Sequence, residues 1–393
     1  MTAVRVFPLI AAVFFASARR SGSRRTVVLI VIETYWAVIN MSNRTSGQFV
    51  VNGDAIPSFS DATLLSVSSP HRQQRLIGAF AVLALLLVIA LLLASSAGAT
   101  NVSWRAAMNG DVTARAILIG IRLPRALLAA LVGATLAVAG VTFQTLLRNP
   151  LADPFILGVS GGAACGASIA TAAGLARLPG VVPMIAFAGA CGATGAVFLL
   201  ARRREYTDPT RLLLSGLVLN AFFSAVILIS FGISRQSDLT AALRWMMGTL
   251  FGATWSDVLL LTILLVIATA TLASIGNDLR MFSFGEDDAK SRGVNVERVK
   301  LIGFITASIV TGAAVSVSGI IGFVGLLVPH LIRMMWRRDF RFLLPLCALG
   351  GGILVVLADL LSRIVVTSSE LPIGAFTAVL GVPFFLSLLR RNR

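Results

Sequence analysis

The stretch from Arg122 to Gly162, RLPRALLAALVGATLAVAGVTFQTLLRNPLADPFILGVSGG, limits what this chain can fold into more than any other. Two arginines bracket Leu123-Pro124, and mostly apolar residues then run on to Leu147. At roughly 1.5 Å per residue a helix of that length reaches about 36 Å, enough to cross a bilayer with some tilt. Pro124 suits a first helical turn, where its missing N–H is not needed. Ala126, Ala130, Gly133, Ala137 and Gly140 recur at spacings of four and three, so one helix face carries only small residues. In lipid, packing rather than hydrophobicity joins helices, and such a face lets another backbone come close. Arg148 ends the apolar run, and Asn149-Pro150-Leu151-Ala152-Asp153-Pro154 forces a turn before the next one.

Composition agrees. Hydrophobic residues make up 57% of the 393, charged residues only 13%, and mean hydropathy is +0.90. This is the composition of an all-α polytopic membrane protein, not of a soluble domain or a disordered tail. The formal net charge of +16 would suggest nucleic acid in a soluble chain. Here the charges sit between apolar runs, where they set topology and meet lipid head groups, so no nucleic-acid partner is expected. Cys165, Cys191 and Cys347 lie inside apolar runs without metal-ligand spacing and read as small buried hydrophobes.

Residues 1–75 form an N-terminal extension without a clear fold signal. Phe7 to Ala18 mimics the apolar core of a signal peptide, ending on Ala16-Ser17-Ala18. The start is expected at or near Met41, which would leave 1–40 untranslated, with a polar cytosolic tail up to Arg75. The membrane-spanning unit is 76–393, with ten candidate spans: 76–96, 123–147, 154–174, 181–201, 212–233, 258–275, 299–318, 319–336, 343–362 and 373–389. The seventh and eighth meet at Ser316-Val317-Ser318-Gly319, so their connection must be tight. Placing residue 75 inside makes the inner loops more than twice as rich in Lys and Arg as the outer ones, so both ends of this unit are expected in the cytoplasm. Arg122, Arg125 and Arg363 then remain as outward charges needing another explanation.

Two segments between spans are not simple loops. Leu243-Arg244-Trp245-Met246-Met247-Gly248 is amphipathic enough to lie in the interface. Residues 276–298 contain Gly285 and Gly293 around a short helix-capable piece, Glu286 to Arg292, acidic in its first turn and basic in its last, as the helix dipole favours.

Chemistry of the chain's own is not expected. Gly158-Val159-Ser160-Gly161-Gly162 lacks the Gly-Lys-Ser/Thr of a phosphate loop, and the chain's lysines, Lys290 and Lys300, follow Ala289 and Val299. The glycines read as packing residues, and any energy from ATP must come through a partner. No Ser/His/Asp, Cys/His or paired-carboxylate constellation appears, so no catalytic residue and no metal ligand is assigned. An ion-coupled transporter would need ionisable groups at membrane depth. Only Asp359 and, near a cytoplasmic end, His330 and Arg333 qualify. Asp359 stands four residues before Arg363, so one helical turn pairs them.

These residues together resemble the FecCD family of ABC-transporter permeases, importers of vitamin B12 and iron-siderophores. The resemblance covers about 115–393. It rests on Arg122-Leu123-Pro124-Arg125, on Asn149 to Pro154 with Leu157-Gly158-Val159-Ser160, and on Trp245-Met246-Met247-Gly248. It continues through Gly322-Phe323-Val324-Gly325-Leu326, Pro329-His330, Ala358-Asp359 with Arg363, and Glu370-Leu371-Pro372-Ile373-Gly374. The resemblance implies ten helices per subunit and a second permease subunit, two cytoplasmic ABC ATPases that carry the ATP and Mg, and an extracytoplasmic substrate-binding protein. It implies a bacterial cytoplasmic-membrane location, and a ferric siderophore as cargo, with haem or cobalamin as alternatives. Arg122, Arg125 and Arg363 match arginines that receive acidic side chains from the binding protein. Gly285, Glu286, Ala289, Arg292 and Gly293 match the segment that couples to the ATPase. Asn149 and Leu151, with Thr207, Asp208 and Thr210, match the cytoplasmic gate, although Asp208-Pro209 stands where small hydroxyl residues are expected. Asp287 and Asp288 make the coupling segment unusually acidic. An ion-coupled secondary transporter and a membrane enzyme are the competing classes; scarce intramembrane charge and the missing catalytic constellation speak against them.

Overall fold

The structure, a computed structural model, describes residues 70–97, 104–203, 206–282, 285–336, 340–365 and 371–391. The expected extension, with its start near Met41, lies outside the described residues as far as 69. Helix α1 spans Pro70–Ser96, α2 Leu123–Leu146, α3 Val159–Ala172 and α4 Val181–Ala201. They are followed by α5 (Pro209–Ile233), α6 (Gln236–Met246), α7 (Trp255–Ser274), α8 (Gly276–Met281) and α9 (Glu286–Ser291). Helices α10 (Val296–Ser318), α11 (Val324–Met335), α12 (Phe340–Ile364) and α13 (Ile373–Arg391) complete the order. The strands among the described residues are two residues each, β1 (Arg202–Arg203) paired antiparallel with β2 (Tyr206–Thr207). The fold is all-α. The chain separates into two compact units, and the sites described below lie in the one formed by Leu86–Phe385.

Each of the ten expected spans falls on a helix. Seven helical stretches among the described residues are long and apolar enough to cross a membrane: Leu76–Ser96, Val112–Leu146, Val181–Ala201, Pro209–Ile233, Trp255–Ser274, Val296–Ser318 and Phe340–Ile364. Of the other three expected spans, 373–389 is covered by α13, and two are shorter as helices, for a backbone reason. Before α3 the chain stays irregular up to Gly158, whose φ of +84° is a left-handed conformation that glycine adopts without strain. Before α11, residues 319–323 are non-helical, with φ +67° at both Gly319 and Phe323. The connection between the seventh and eighth spans is therefore tight, as expected, but it consumes the first residues of the eighth.

The start of α2 also differs from expectation. Val112–Leu146 is one 35-residue helical run, so Pro124 stands well inside it. Ala116–Arg122 is π-helical, and the Leu123 N–H donates to the Leu118 carbonyl. The wider π turn is a known way for a helix to absorb a residue that cannot donate.

Small residues explain why α2 sits in the core: 89% of its apolar window is buried, against 17% for α1, α5 and α7. A Cβ on Gly133 would enter the carbonyl of Gly351 on α12, and one on Gly140 the carbonyl of Gly325 on α11. Gly352 lies against the Ala130 backbone. Gly162 meets the Gly189 backbone on α4, and Gly161 meets Asn220 on α5, so these glycines are packing residues. Cys165 and Cys347 are buried as expected, whereas Cys191, on α4, is exposed.

This packing predicts an asymmetric response to bulk. Gly133→Leu should cost about 1–3 kcal/mol by overpacking, seen as a lower thermal midpoint and folded yield in detergent. Gly192→Leu, where no atom lies within 4 Å of the added Cβ, should leave both unchanged.

Candidate functional site

Two clusters stand at opposite ends of α2, roughly 36 Å apart by helical rise. At its first end, two of the three arginines singled out from sequence, Arg125 and Arg363, come together around one carboxylate, and the third, Arg122, reaches the end of α1. Arg125 Nε donates to Asp359 Oδ1 at 3.0 Å, and its Nη2 lies 2.9 Å from the same oxygen. Arg363 Nη2 forms an ion pair with Asp359 Oδ2 at 2.9 Å, one turn along α12 as the i,i+4 spacing requires. The Asp359 side chain is wholly buried, and those of Arg125 and Arg363 are 9% exposed.

The same arginines close the end of α1. A helix leaves its last carbonyls without partners, and α1 has no basic residue in its last turn. Arg122 Nη1 donates to Ser96 O at 2.8 Å, Arg363 Nη2 to Ala94 O at 3.1 Å and Arg363 Nη1 to Ala97 O at 3.3 Å. Cations at a helix C-terminus also suit its dipole. The charges that topology placed outward are thus largely buried, held by a carboxylate or by the carbonyls that end α1.

At the other end of α2, the segment Gly285–Gly293 and the turn before α5 share one cleft of about 460 Å³, lined by Leu147, Arg148, Asp208, Thr210, Glu286 and Lys290 among others. Gly285 has φ +126° and Gly293 φ +83°, so both ends of α9 need glycine's left-handed freedom. Between them Ala289 is fully buried and anchors the short helix, while Asp287 and Asp288 are exposed. Arg292 is the C-cap, its N–H reaching Asp288 O. Asp208 caps α5 by accepting from the Thr210 N–H at 2.9 Å. Asn149 and Leu151 are near in sequence but form their own turn, the Asn149 Oδ1 accepting from the Leu151 N–H at 2.9 Å. They are not among the residues lining the cleft.

Sequence reasoning missed what ties these parts together. Lys300 on α10, only 3% exposed, donates from Nζ to Thr207 O at 2.8 Å and pairs with Glu286 Oε2 at 2.7 Å. Glu297 Oε2 accepts from the Thr207 N–H and hydroxyl at 3.1 and 2.7 Å. The available signal was the rarity of lysine in this chain. Arg333 was noticed as a charge but not its partners: Nη1 donates to Gln144 Oε1, and Nη2 to the Thr145 hydroxyl at 3.4 Å. Among the described residues no three His, Cys, Asp or Glu gather as a metal site.

Asp153, in the turn after α2, is buried, and its Oδ1 accepts from the Phe155 N–H at 2.8 Å. Desolvation outweighs that bond and pushes the carboxyl up from 3.8 to about 6.

Two measurements follow. Asp359→Asn leaves two buried guanidinium groups without their counter-charge and should cost about 3–5 kcal/mol, read as loss of folded protein in detergent. For Asp153, a raised folded-state pKa means stability is full below the unfolded pKa of 3.8 and falls as pH rises through about 6. Wild type should therefore lose up to about 3 kcal/mol between acid and neutral pH, and Asp153→Asn, which keeps an acceptor, should flatten that slope in a thermal-midpoint titration.

A family model described as the FecCD transport family matches residues 82–391. The cobalamin import system permease protein BtuC of Halobacterium salinarum is 44% identical over 71% of this chain and 74% of its own length. The hemin transport system permease protein HmuU of Yersinia pestis is 41% identical over 79% of this chain and 95% of its own. A solved inward-facing structure of an ABC transporter described as of metal-chelate type matches with a TM-score of 0.70 and 31% identity, covering 81% of this chain and 99% of that one.

Proposed function

Because the chain belongs to the FecCD transport family, we propose that it is the membrane-spanning permease of a binding-protein-dependent ABC importer. Its cargo is a metal chelate, in the first place a ferric siderophore. The cargoes named for its relatives, cobalamin and hemin, and the type named for the solved transporter are metal chelates too; cobalamin and haem are the alternatives.

One observation carries this reading: a single rigid, buried helix holds an arginine cluster at one end and the capped cleft at the other. In the proposed cycle, an extracytoplasmic binding protein docks on the rim of Arg122, Arg125 and Arg363 and releases its ligand into the path between two permease subunits. Two cytoplasmic ATPases, which bind the ATP and Mg, close and push on Gly285–Gly293. The bundle then reorients, and the passage near Asn149, Leu151, Thr207, Asp208 and Thr210 opens inward. Both ends of the permease unit lie in the cytoplasm of a bacterial cell, and this chain itself performs no chemistry. Asp359 held between two arginines is a poor proton relay, which disfavours ion coupling.

Charges at the rim of such an interface act on orientation and association rate more than on affinity. Arg122→Ala should therefore lower binding-protein-stimulated ATP hydrolysis of the reconstituted complex about fivefold at low salt, with the difference shrinking at high salt. Stimulation equal to wild type at all salt concentrations would overturn the docking role.

A further inference from the structure

We propose that Lys300 is the positioning residue through which movement of α9 reaches the turn that starts α5. The inference rests on the coupling role proposed above for Gly285–Gly293, and names the link that role leaves open.

The cleft of about 460 Å³ separates α9 from the start of α5, with Glu286 and Asp287 on one wall and Asp208 and Thr210 on the other. A push on α9 therefore does not press directly on that part of α5. The bridge runs beneath the cleft. Lys300 Nζ bonds Glu286, the first residue of α9, and the carbonyl of Thr207 at the same time, at 2.7 and 2.8 Å. Its own neighbour one turn back, Glu297, lies 3.4 Å from the ammonium and holds the other two polar atoms of Thr207, the N–H and the hydroxyl.

Thr207 is thus gripped at three atoms by one turn of α10, and it is 1% exposed. Its neighbours give the grip leverage. Asp208 caps α5, and Thr207 pairs with Arg202 at the end of α4. Any displacement of Glu286 must either break the shorter of the two ion pairs of a buried ammonium or carry Lys300 with it, and breaking a buried pair is costly. The lysine moves with α9, and Thr207 moves with the lysine. Long charged side chains near a span end usually snorkel toward water. This one is held inside by partners from two other segments.

The test uses the assembled complex with its ATPases, carrying Thr210→Cys in a background with Cys165, Cys191 and Cys347 replaced by alanine. Thr210 is exposed on the cleft wall. The rate of its reaction with a maleimide is measured with and without Mg-ATP. Nucleotide should change that rate about tenfold, the scale of coupling between two sites. Lys300→Met should abolish the nucleotide effect. Glu286→Leu removes the acceptor on α9 and keeps the Thr207 grip, so it should abolish the effect as well; it decides the matter if Lys300→Met fails to assemble. A nucleotide response equal to wild type in Glu286→Leu, or in an assembled Lys300→Met, overturns the link. Ala289→Trp separates the two claims. If it removes the response while the Lys300 and Glu286 variants keep it, α9 couples by another route; if all three keep it, the coupling role of α9 itself fails.

Discussion

Backbone-to-backbone contact along α2 is the constraint on which the other features depend. Lipid offers no hydrophobic reward for pressing one apolar helix on another, so close packing has to come from residues small enough to let main chains touch. Gly133 against Gly351 and Gly140 against Gly325 supply that contact at two levels of one helix face, about two turns apart. A rod fixed in this way keeps its ends in register with its neighbours. Arg125 can then meet Asp359, and Leu147 can close a cleft with Glu286, because both distances are set by the same helix.

Charge at the first end of α2 is stable only as a set. One arginine in an apolar surrounding would be costly, and one aspartate as well. Asp359 between Arg125 and Arg363 offsets part of that cost, and the carbonyls that end α1 accept the remaining hydrogen bonds. For the docking role proposed above, arginines already held at the end of α1 would spare an approaching acidic side chain the cost of ordering flexible cations first.

Much of this was legible in the sequence, and the rest was hidden for physical reasons. The small-residue stripe of α2, the glycine-bounded α9 and the Asp359–Arg363 pair are local patterns, spaced by three or four residues or marked by glycine. They needed no knowledge of the fold. Arg125 and Asp359 stand 234 residues apart and Lys300 and Thr207 stand 93 apart; no local period announces either pair. Helix boundaries failed for another reason. Where every residue of a run is apolar, hydropathy does not reveal whether the backbone is helical, so the irregular stretches before α3 and α11 read as parts of spans. The π-helical entry to α2 was masked by a proline that equally suits a first turn.

The identity of the residue beneath the cleft is itself informative. Arginine outnumbers lysine heavily in this chain, yet lysine occupies position 300. An arginine fork is planar and aims its donors one way, as Arg125 does when Nε and Nη2 both reach Asp359 Oδ1. Position 300 faces a different demand, because Glu286, Glu297 and the Thr207 carbonyl converge on it from three segments. A compact ammonium with three donors spread around one atom can meet three such acceptors together, which a flat guanidinium does poorly. The first end of α2 therefore uses arginines to hold one acid and one helix end rigidly. The second end uses a lysine on a flexible stem, which can keep its partners while the segments they belong to shift.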